Sequence, residues 1–223
     1  MSDQVRENTV SAYRQTGLCD DTFCLGEGEQ NKILILGNSI TFHAEKPEIG
    51  WCGRHGMAAS SAEKDYVHIL FRLLSDKRPC RMMIRQAACW ETDWEKFDLN
   101  LFLSLREFAA DAILFRLGEN IVNTERSGLT DAIEKLINFV NPKKSPVFYT
   151  TCFWRRALAD EAIRAAAERS ESTLIELNDL GDCAENKAVG LFRHEGVAAH
   201  PGDLGMERIA ARIYESCRTT FEK

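Results

Sequence analysis

The stretch Lys32-Ile33-Leu34-Ile35-Leu36-Gly37-Asn38-Ser39 decides the fold of this chain. Its first five residues form a short, largely apolar run, and continuous hydrophobicity of this kind is typical of a strand that is covered on both faces. Gly37 ends the run, and Ser39 follows two residues later. We therefore expect a central parallel strand that carries a hydroxyl group at its carboxyl end.

Further strands alternate with helical segments along the chain. Apolar runs predict strands near 81–85, 112–116, 147–150 and 173–177. Helical periodicity predicts helices near 129–140, 158–169 and 204–219. Strands separated by helices imply right-handed crossovers, so this order predicts an α/β fold with a mostly parallel central sheet between two helix layers.

The segment before the helix at about residue 70 carries the signature of a helix start. Ser60-Ser61-Ala62-Glu63 matches a capping box, with Ser60 at the N-cap and Glu63 at N3. This pattern predicts a helix that begins there and runs to about Leu74.

The first 31 residues predict an arm and a linker in front of the domain. Val5, Val10 and Tyr13 lie at loose helical spacing, and a Gly-rich acidic stretch from Leu25 to Asn31 then breaks the periodicity. We therefore expect an N-terminal arm and linker over 1–31 and a single domain over 32–223.

The composition and charge of the chain exclude several classes of protein. Its 223 residues are 44% hydrophobic and 28% charged, which suits a sizeable core and a solvated surface. The net charge of −6, with Lys and Arg scattered, gives nucleic acid no basic stripe to bind. No apolar run approaches the roughly 18 residues of a membrane helix, and the first residues lack the apolar region of a signal peptide. We expect a soluble protein with no nucleic-acid or membrane partner.

The eight cysteines indicate reduced thiols in a cytoplasmic protein. They fall well below the ~8–10% density of a disulfide scaffold, and several lie in or beside apolar segments. Neither a C-x-x-C nor an H-E-x-x-H pattern occurs, so we expect no metal site and no cofactor.

Three further segments carry complementary chemical groups: Gly37-Asn38-Ser39, Gly118-Glu119-Asn120 and His200-Pro201-Gly202-Asp203. A serine hydroxyl such as that of Ser39 is a weak nucleophile until a base, most often a histidine, takes its proton. Asn120 follows another strand and offers a side-chain N–H to a developing oxyanion. These residues predict Ser39 as a nucleophile, His200 as its base and Asn120 as an oxyanion donor.

Together these segments resemble the SGNH hydrolases, also called GDSL-type esterases, which have a flavodoxin-like, three-layer α/β/α fold and cleave acyl esters. Gly37-Asn38-Ser39 matches the first family block, G-D-S, and Gly118-Glu119-Asn120 matches the third, G-x-N-D, up to its last position. His200-Pro201 matches the end of the last block, D-x-x-H-P. By the order and spacing of the blocks the resemblance spans roughly residues 32 to 215.

The second family block, N-x-x-x-x-G, departs from the pattern. Gln86-Ala87-Ala88-Cys89-Trp90-Glu91 stands in its place, so that Glu91 occupies the glycine position. The resemblance implies an oxyanion hole formed by the backbone N–H groups of Ser39 and Glu91 together with the side-chain amide of Asn120.

The last block departs as well, because Val197 stands where the family has the acid that fixes the histidine tautomer. Either a backbone carbonyl or the side chain of Glu195 is then left to support His200. His43, four residues after Ser39, is the alternative base and ranks below His200.

Several large side chains near the expected strand ends are candidates for other roles. Trp51 and Trp90 are predicted to bind substrate by stacking on a sugar ring, whereas ordinary packing is favoured for Trp154. Arg116, inside an apolar strand, is interpreted as a paired structural arginine.

The resemblance implies a serine ester hydrolase that removes a small acyl group, such as acetyl, from a carbohydrate or another small-molecule ester. The lost acid and the lost glycine motivate the alternative, a non-catalytic carbohydrate- or ligand-binding module on the same fold. The oligomeric state is left open.

Overall fold

The structure is a computed structural model that describes residues 21–121 and 128–221. In this part of the chain six strands join into one sheet. Their bounds are Thr22–Leu25 (β1), Lys32–Gly37 (β2), Arg81–Gln86 (β3), Ala112–Arg116 (β4), Val147–Thr150 (β5) and Thr173–Ile175 (β6). The strands that the sequence predicts are β2 to β6, and β6 ends before the predicted Leu177.

The strand order in the sheet is β1-β3-β2-β4-β5-β6. β2 pairs in parallel with β3 on one side and with β4 on the other, which confirms it as a central parallel strand. Gly37 at the end of β2 lies opposite both Gln86 and Arg116, so the carboxyl ends of the three strands meet at one edge. Ligands bind at this edge in open α/β sheets.

Helices cover both faces of the sheet in the described residues. The α-helices are Tyr66–Ser75 (α1), Ala88–Asp93 (α2), Leu103–Phe108 (α3), Leu129–Val140 (α4), Ala157–Arg169 (α5), Asn178–Asp182 (α6), Glu195–Ala198 (α7) and Asp203–Phe221 (α8). Helices α1 and α8 pack on one face, and α2 to α5 pack on the other. This confirms the three-layer α/β/α architecture. None of the described helices combines the length and apolar character needed to cross a membrane.

The side chains of β2 show why both faces are covered. Leu34 and Leu36 belong to the core under α2 to α5, whereas Ile33 and Ile35 belong to the core under α1 and α8. All four side chains are buried. Burial of one such side chain contributes about 1.5–3 kcal/mol to folding stability. The side chains of β2 therefore stabilise the packing of both helix layers on the sheet.

β1 lies in the segment 1–31, which the sequence assigns to an N-terminal arm and linker. Thr22–Leu25 pairs with β3 in the antiparallel sense and forms one edge of the sheet. The strand is short and only partly buried, so its hydrophobic pattern is too weak to recognise in the sequence. Thr22–Leu25 therefore belongs to the sheet of the domain and not to an arm in front of it, while Val5, Val10 and Tyr13 lie outside the described residues.

Helix α1 begins later than the capping box predicts. Its N-cap is Asp65, whose side chain accepts a hydrogen bond from the backbone N–H of His68 at 2.8 Å. The Ser60 hydroxyl donates instead to Asp203 at 2.8 Å, and the Ser60 backbone N–H donates to the other oxygen of the same carboxylate at 2.7 Å. The predicted capping box is wrong because a tertiary contact with the start of α8 takes the serine hydroxyl.

The cysteines differ from expectation at one position. Cys89 is disulfide-bonded, so the prediction of reduced thiols is wrong there. Six other cysteines in the described residues are free. Cys80, Cys152 and Cys217 are buried, and this burial raises the pKa of each thiol, which keeps it protonated.

Candidate active site

Ser39 lies directly after β2, in a tight turn at the carboxyl edge of the sheet. The backbone N–H groups of Thr41 and Phe42 donate to the Asn38 carbonyl oxygen at 2.9 and 3.0 Å, which closes the turn around the serine. Residue 37 must be glycine here, because a Cβ would lie 1.8 Å from Thr41 Oγ1. The turn therefore fixes the serine backbone next to the strand end, with Ser39 itself 9% exposed.

His200 reaches Ser39 from the loop that follows α7. Ser39 Oγ and His200 Nε2 are 2.8 Å apart. On the other side of the ring, Nδ1 lies 2.6 Å from the Gly196 carbonyl oxygen. Since a carbonyl oxygen can only accept, Nδ1 carries the proton and Nε2 accepts a hydrogen bond from the Ser39 hydroxyl. The pair has the geometry of a nucleophile and its base.

The support of His200 is thus a main-chain group. Of the two supports that the sequence leaves open, the structure contains the Gly196 carbonyl. Glu195 is exposed at the start of α7, and Val197 is buried against Met57 and Ala58. The acid position of the family pattern has become part of a small apolar cluster that holds α7 in place.

The electrostatic environment keeps the His200 ring neutral. Burial lowers the pKa of His200 to about 4, the hydrogen bond to Gly196 opposes this shift, and the nearby charge of His43 adds to it. The ring is neutral at pH 7, which is the form that a general base requires. His43, the alternative base, is buried with its Nδ1 2.6 Å from the Ala44 carbonyl oxygen. Ser39 is paired with His200, the base that the sequence ranks first.

A buried carboxylate, that of Glu91 on α2, lies next to the Ser39 turn. Its Oε1 accepts from the Gly118 backbone N–H at 2.5 Å and from Asn38 Nδ2 at 3.1 Å. Its Oε2 accepts from Asn120 Nδ2 at 2.6 Å. One side chain therefore ties α2 to the segments that follow both β2 and β4.

Arg116 and Glu119 form a buried ion pair beside this carboxylate. The two terminal nitrogens of Arg116 donate to Glu119 at 2.6 and 2.9 Å. Glu119 also accepts from Asn38 Nδ2 at 2.6 Å and from the Phe153 backbone N–H at 2.8 Å. Burial by itself would raise the pKa of Glu119, but the charge and hydrogen bonds of Arg116 outweigh it and hold this pKa below its ordinary value. The interpretation of Arg116 as a paired structural residue is confirmed.

Glu91 titrates very differently from Glu119. Burial raises the pKa of Glu91 to about 7, and the negative charge of Glu119 adds to the rise. The hydrogen bonds from Asn120, Gly118 and Asn38 oppose it. Glu91 therefore changes its charge near neutral pH, in direct contact with a candidate oxyanion donor.

The structure leaves two of the three predicted oxyanion donors available. Within residues 21–121 and 128–221 the Ser39 backbone N–H has no hydrogen-bond partner, and Asn120 Nδ2 uses one of its two N–H groups on Glu91. The backbone N–H of Glu91 instead donates to the Ala87 carbonyl oxygen at 3.4 Å, because residue 91 lies in the first turn of α2. This corrects the prediction for residue 91, whose side chain rather than its backbone reaches the site.

Trp51 and Trp90 do not lie at the site in the way that the sequence predicts. Their exposed fractions are 3% and 1%. Trp51 packs against His55 and Phe192, and Trp90 packs edge-on against Phe115 in the main core. The prediction that both bind substrate by stacking is wrong, since protein covers their ring faces.

Trp154 is the indole that the structure brings to the site. Its ring lies edge-to-face against His200 with 4.9 Å between the ring centroids, and its Nε1 donates to the Ala199 carbonyl oxygen at 3.0 Å. The side chain is partly exposed. Its place after β5, at the edge that carries Ser39, is the sequence signal that could have identified it.

The arrangement combines a hydroxyl with a neutral imidazole and two N–H donors, which suits attack on a carbonyl carbon and stabilisation of the oxyanion that forms. No group of three or more His, Cys, Asp or Glu side chains in the described residues is placed to hold a metal ion.

The layers, the strand order and the strand-end blocks define the fold of the SGNH, or GDSL-type, hydrolases. A solved structure described as a GDSL-like lipase from Bacteroides uniformis matches with a TM-score of 0.54 and 16% identity, over 85% of this chain and 96% of that one. TesA matches with a TM-score of 0.56 and 13% identity, over 84% and 98%. A family two carbohydrate esterase from Cellvibrio japonicus matches with a TM-score of 0.52 and 13% identity, over 86% and 62%. Neither a protein-family model nor a curated protein matches the sequence.

Proposed function

We propose that this protein is a serine ester hydrolase in which Ser39 is the nucleophile and His200 the general base. The observation that carries the proposal is the 2.8 Å contact between Ser39 Oγ and His200 Nε2, with the Gly196 carbonyl on the other ring nitrogen. A neutral imidazole in this tautomer can accept the serine proton. The lipases and esterases that share the fold support an ester as the substrate class.

In the proposed reaction, Ser39 Oγ attacks the acyl carbon while His200 Nε2 takes the hydroxyl proton. The Ser39 backbone N–H and the second N–H of Asn120 Nδ2 hold the oxyanion, and each such donor typically contributes about 3 kcal/mol to the transition state. His200 then protonates the alcohol oxygen, which leaves. A water molecule, deprotonated by His200, attacks the acyl-enzyme and releases the acid together with the free serine.

The Gly196 carbonyl can fix the tautomer of His200 as an acid would, but it stabilises the charged imidazolium less. It fixes the same tautomer that an aspartate would fix, and loss of that tautomer is what costs about 10,000-fold in a triad. It carries no full charge, so it stabilises the imidazolium less than a carboxylate does. The proposed enzyme therefore works with a dyad, Ser39 and His200, supported by Gly196.

We propose a small acyl group, such as acetyl, on a carbohydrate as the physiological ester. A carbohydrate esterase shares the fold, and the partly exposed ring of Trp154 lies beside His200, where an aromatic edge can contact a sugar. The cytoplasmic location remains a prediction.

A fluorophosphonate probe followed by peptide mapping tests the proposal. The probe should label Ser39 in the wild-type protein and should not label the Ser39→Ala variant. The control variant Ser104→Ala changes an exposed serine, so its Ser39 should be labelled as in the wild type. Hydrolysis of p-nitrophenyl acetate should follow the same order.

The alternative is a ligand-binding module on the same fold. It is favoured by the absence of a carboxylate behind His200 and by the presence of Glu91 at the glycine position. An unlabelled Ser39 in a folded wild-type protein that still binds an acetylated oligosaccharide would establish this alternative and exclude the esterase.

A further inference from the structure

Glu91 introduces a carboxylate at a position where the resemblance to the SGNH hydrolases implies a glycine. The side chain is buried, and its hydrogen bonds run to Asn38, Gly118 and Asn120, which all lie in the segments that follow β2 and β4. A side chain that connects the nucleophile turn to the oxyanion donor is placed to control the geometry between them.

The hydrogen bond between Glu91 and Asn120 determines the orientation of the Asn120 side-chain amide. An Asn side chain presents an NH2 group on one side and an oxygen on the other, and the two orientations have nearly the same shape. While Glu91 is ionised, only the NH2 group can lie 2.6 Å from its oxygen, since two oxygens without a proton between them would repel at that distance. Glu91 thus selects the orientation in which Asn120 is a donor.

The same contact aims the group that remains. The two N–H bonds of a planar amide diverge at a fixed angle, so fixing one of them fixes the other. Asn120 is partly exposed, whereas Glu91 is fully covered. The N–H that does not face Glu91 is therefore the one left for a ligand.

We infer that the carboxylate of Glu91 is a positioning residue that holds Asn120 as an oxyanion donor. This inference rests on the proposed ester hydrolysis and deepens it. The positioning role belongs to the ionised form, because a protonated carboxyl group loses acceptor capacity on one oxygen.

The charges around Glu91 set the pH at which this form exists. Glu119 is the carboxylate next to it, Arg116 is the cation, and Arg116 makes its contacts with Glu119 and Asn38 rather than with Glu91. Burial and the charge of Glu119 raise the pKa of Glu91 to about 7. We expect the hydrogen bond to Asn120 to strengthen as the pH rises through this value.

A double-mutant cycle tests the inference. Asn120→Ala should lower kcat by about 100-fold and Glu91→Gln by about 10-fold, each with KM changed less than about 2-fold. If Glu91 acts through Asn120, adding Glu91→Gln to Asn120→Ala should cost less than about 2-fold more. Asp93→Asn, an exposed change on the same helix, should leave kcat unchanged. Independent losses that multiply would overturn the inference.

A second measurement does not depend on activity. In an NMR spectrum of the labelled protein, one side-chain amide proton of Asn120 should lie downfield, move further downfield as the pH rises through about 7, and return toward ordinary shifts in Glu91→Gln. An Asn120 amide that ignores both the pH and the substitution would overturn the inference even if the enzyme is active. Absence of probe labelling at Ser39 would instead remove the proposed function, and the inference with it.

Discussion

The two halves of the candidate site are built from different kinds of contact. On the nucleophile and oxyanion side, Asn38, Glu91, Arg116 and Glu119 form a buried network of charge-assisted hydrogen bonds. On the histidine side, one neutral main-chain group, the Gly196 carbonyl, holds the ring. The charged hydrogen bonds therefore lie on the nucleophile and oxyanion side, whereas the group that holds the base is neutral.

The difference teaches where a buried charge is useful in this fold. Burial lowers the pKa of His200 to about 4, and the hydrogen bond to the Gly196 carbonyl opposes this shift without reversing it, so the ring is neutral. A carboxylate in that place would raise the pKa of His200 further. On the other side, charged partners make short hydrogen bonds that fix the two strand ends relative to each other. The network sets geometry, and the single carbonyl sets a tautomer.

The largest expected effect is the loss of the base. His200→Ala should lower kcat for p-nitrophenyl acetate by about 10,000-fold or more, because His200 Nε2 is the base in contact with Ser39 Oγ. Steady-state kinetics measures the loss, and near-ultraviolet circular dichroism checks the fold. A well-folded variant with most of its activity would transfer the role to His43 or another base.

The buried network should be the side that determines stability. Arg116→Met should lower the free energy of unfolding by about 3–5 kcal/mol, since it leaves the Glu119 carboxylate buried without its cation. Denaturant unfolding measures this, with Arg164→Met, which breaks the exposed pair with Glu176, as the control at less than about 1 kcal/mol. Equal losses from the two variants would contradict the comparison.

The oxyanion donor should affect the rate and leave binding alone. Asn120→Ala should lower kcat by about 100-fold or more with little change in KM, because the donor acts mainly on charge that develops in the transition state. Michaelis–Menten analysis with a short-chain ester separates the two parameters. A change confined to KM would make Asn120 a ground-state binding residue.

The pH dependence of kcat/KM should show separate steps for the histidine side and for the oxyanion side of the site. Protonation of His200 removes the base, so kcat/KM should fall as the pH falls through about 4, well below the ordinary histidine pKa. Protonation of Glu91 should cause a shallower fall, within about 10-fold, as the pH falls through about 7. Glu91→Gln should retain only the lower step. A single step near 6.5 in both proteins would contradict both assignments.

The smallest expected effect is at Glu195. Glu195→Gln should change kcat by less than about 10-fold, because the Gly196 carbonyl already occupies His200 Nδ1 and Glu195 is exposed. The measurement is the same steady-state assay. A loss approaching that of His200→Ala would restore a full triad with Glu195 as the acid.

The buried histidine should also make the free energy of unfolding depend on pH. The pKa of His200 is lower in the folded protein than in the unfolded chain, so between about pH 6.5 and 4 the unfolded state binds more protons. The contribution of His200 to stability is therefore present above pH 6.5 and is lost as the pH falls toward 4.

Short-range pattern was enough for much of the fold and for part of the site. The apolar run before Gly37, and the runs that became β3 to β6, carried their own signal because buried strands need continuous hydrophobicity. The resemblance of the blocks to those of the SGNH hydrolases was enough to pair Ser39 with His200, although His200 follows the helix α7 rather than a strand. The strand β1 was not recognised because it has only four residues, three partly buried and one exposed, which carry little hydrophobic pattern.

The sequence by itself determined the layers, the strand-end serine and the identity of its histidine partner. Only the tertiary structure decided that Glu91 contributes its side chain, that Trp154 rather than Trp51 or Trp90 lies at the histidine, and that a carbonyl replaces the acid. The physical reason is that periodicity records which side chains avoid water, whereas hydrogen-bond partners are chosen by distances between segments far apart in the chain.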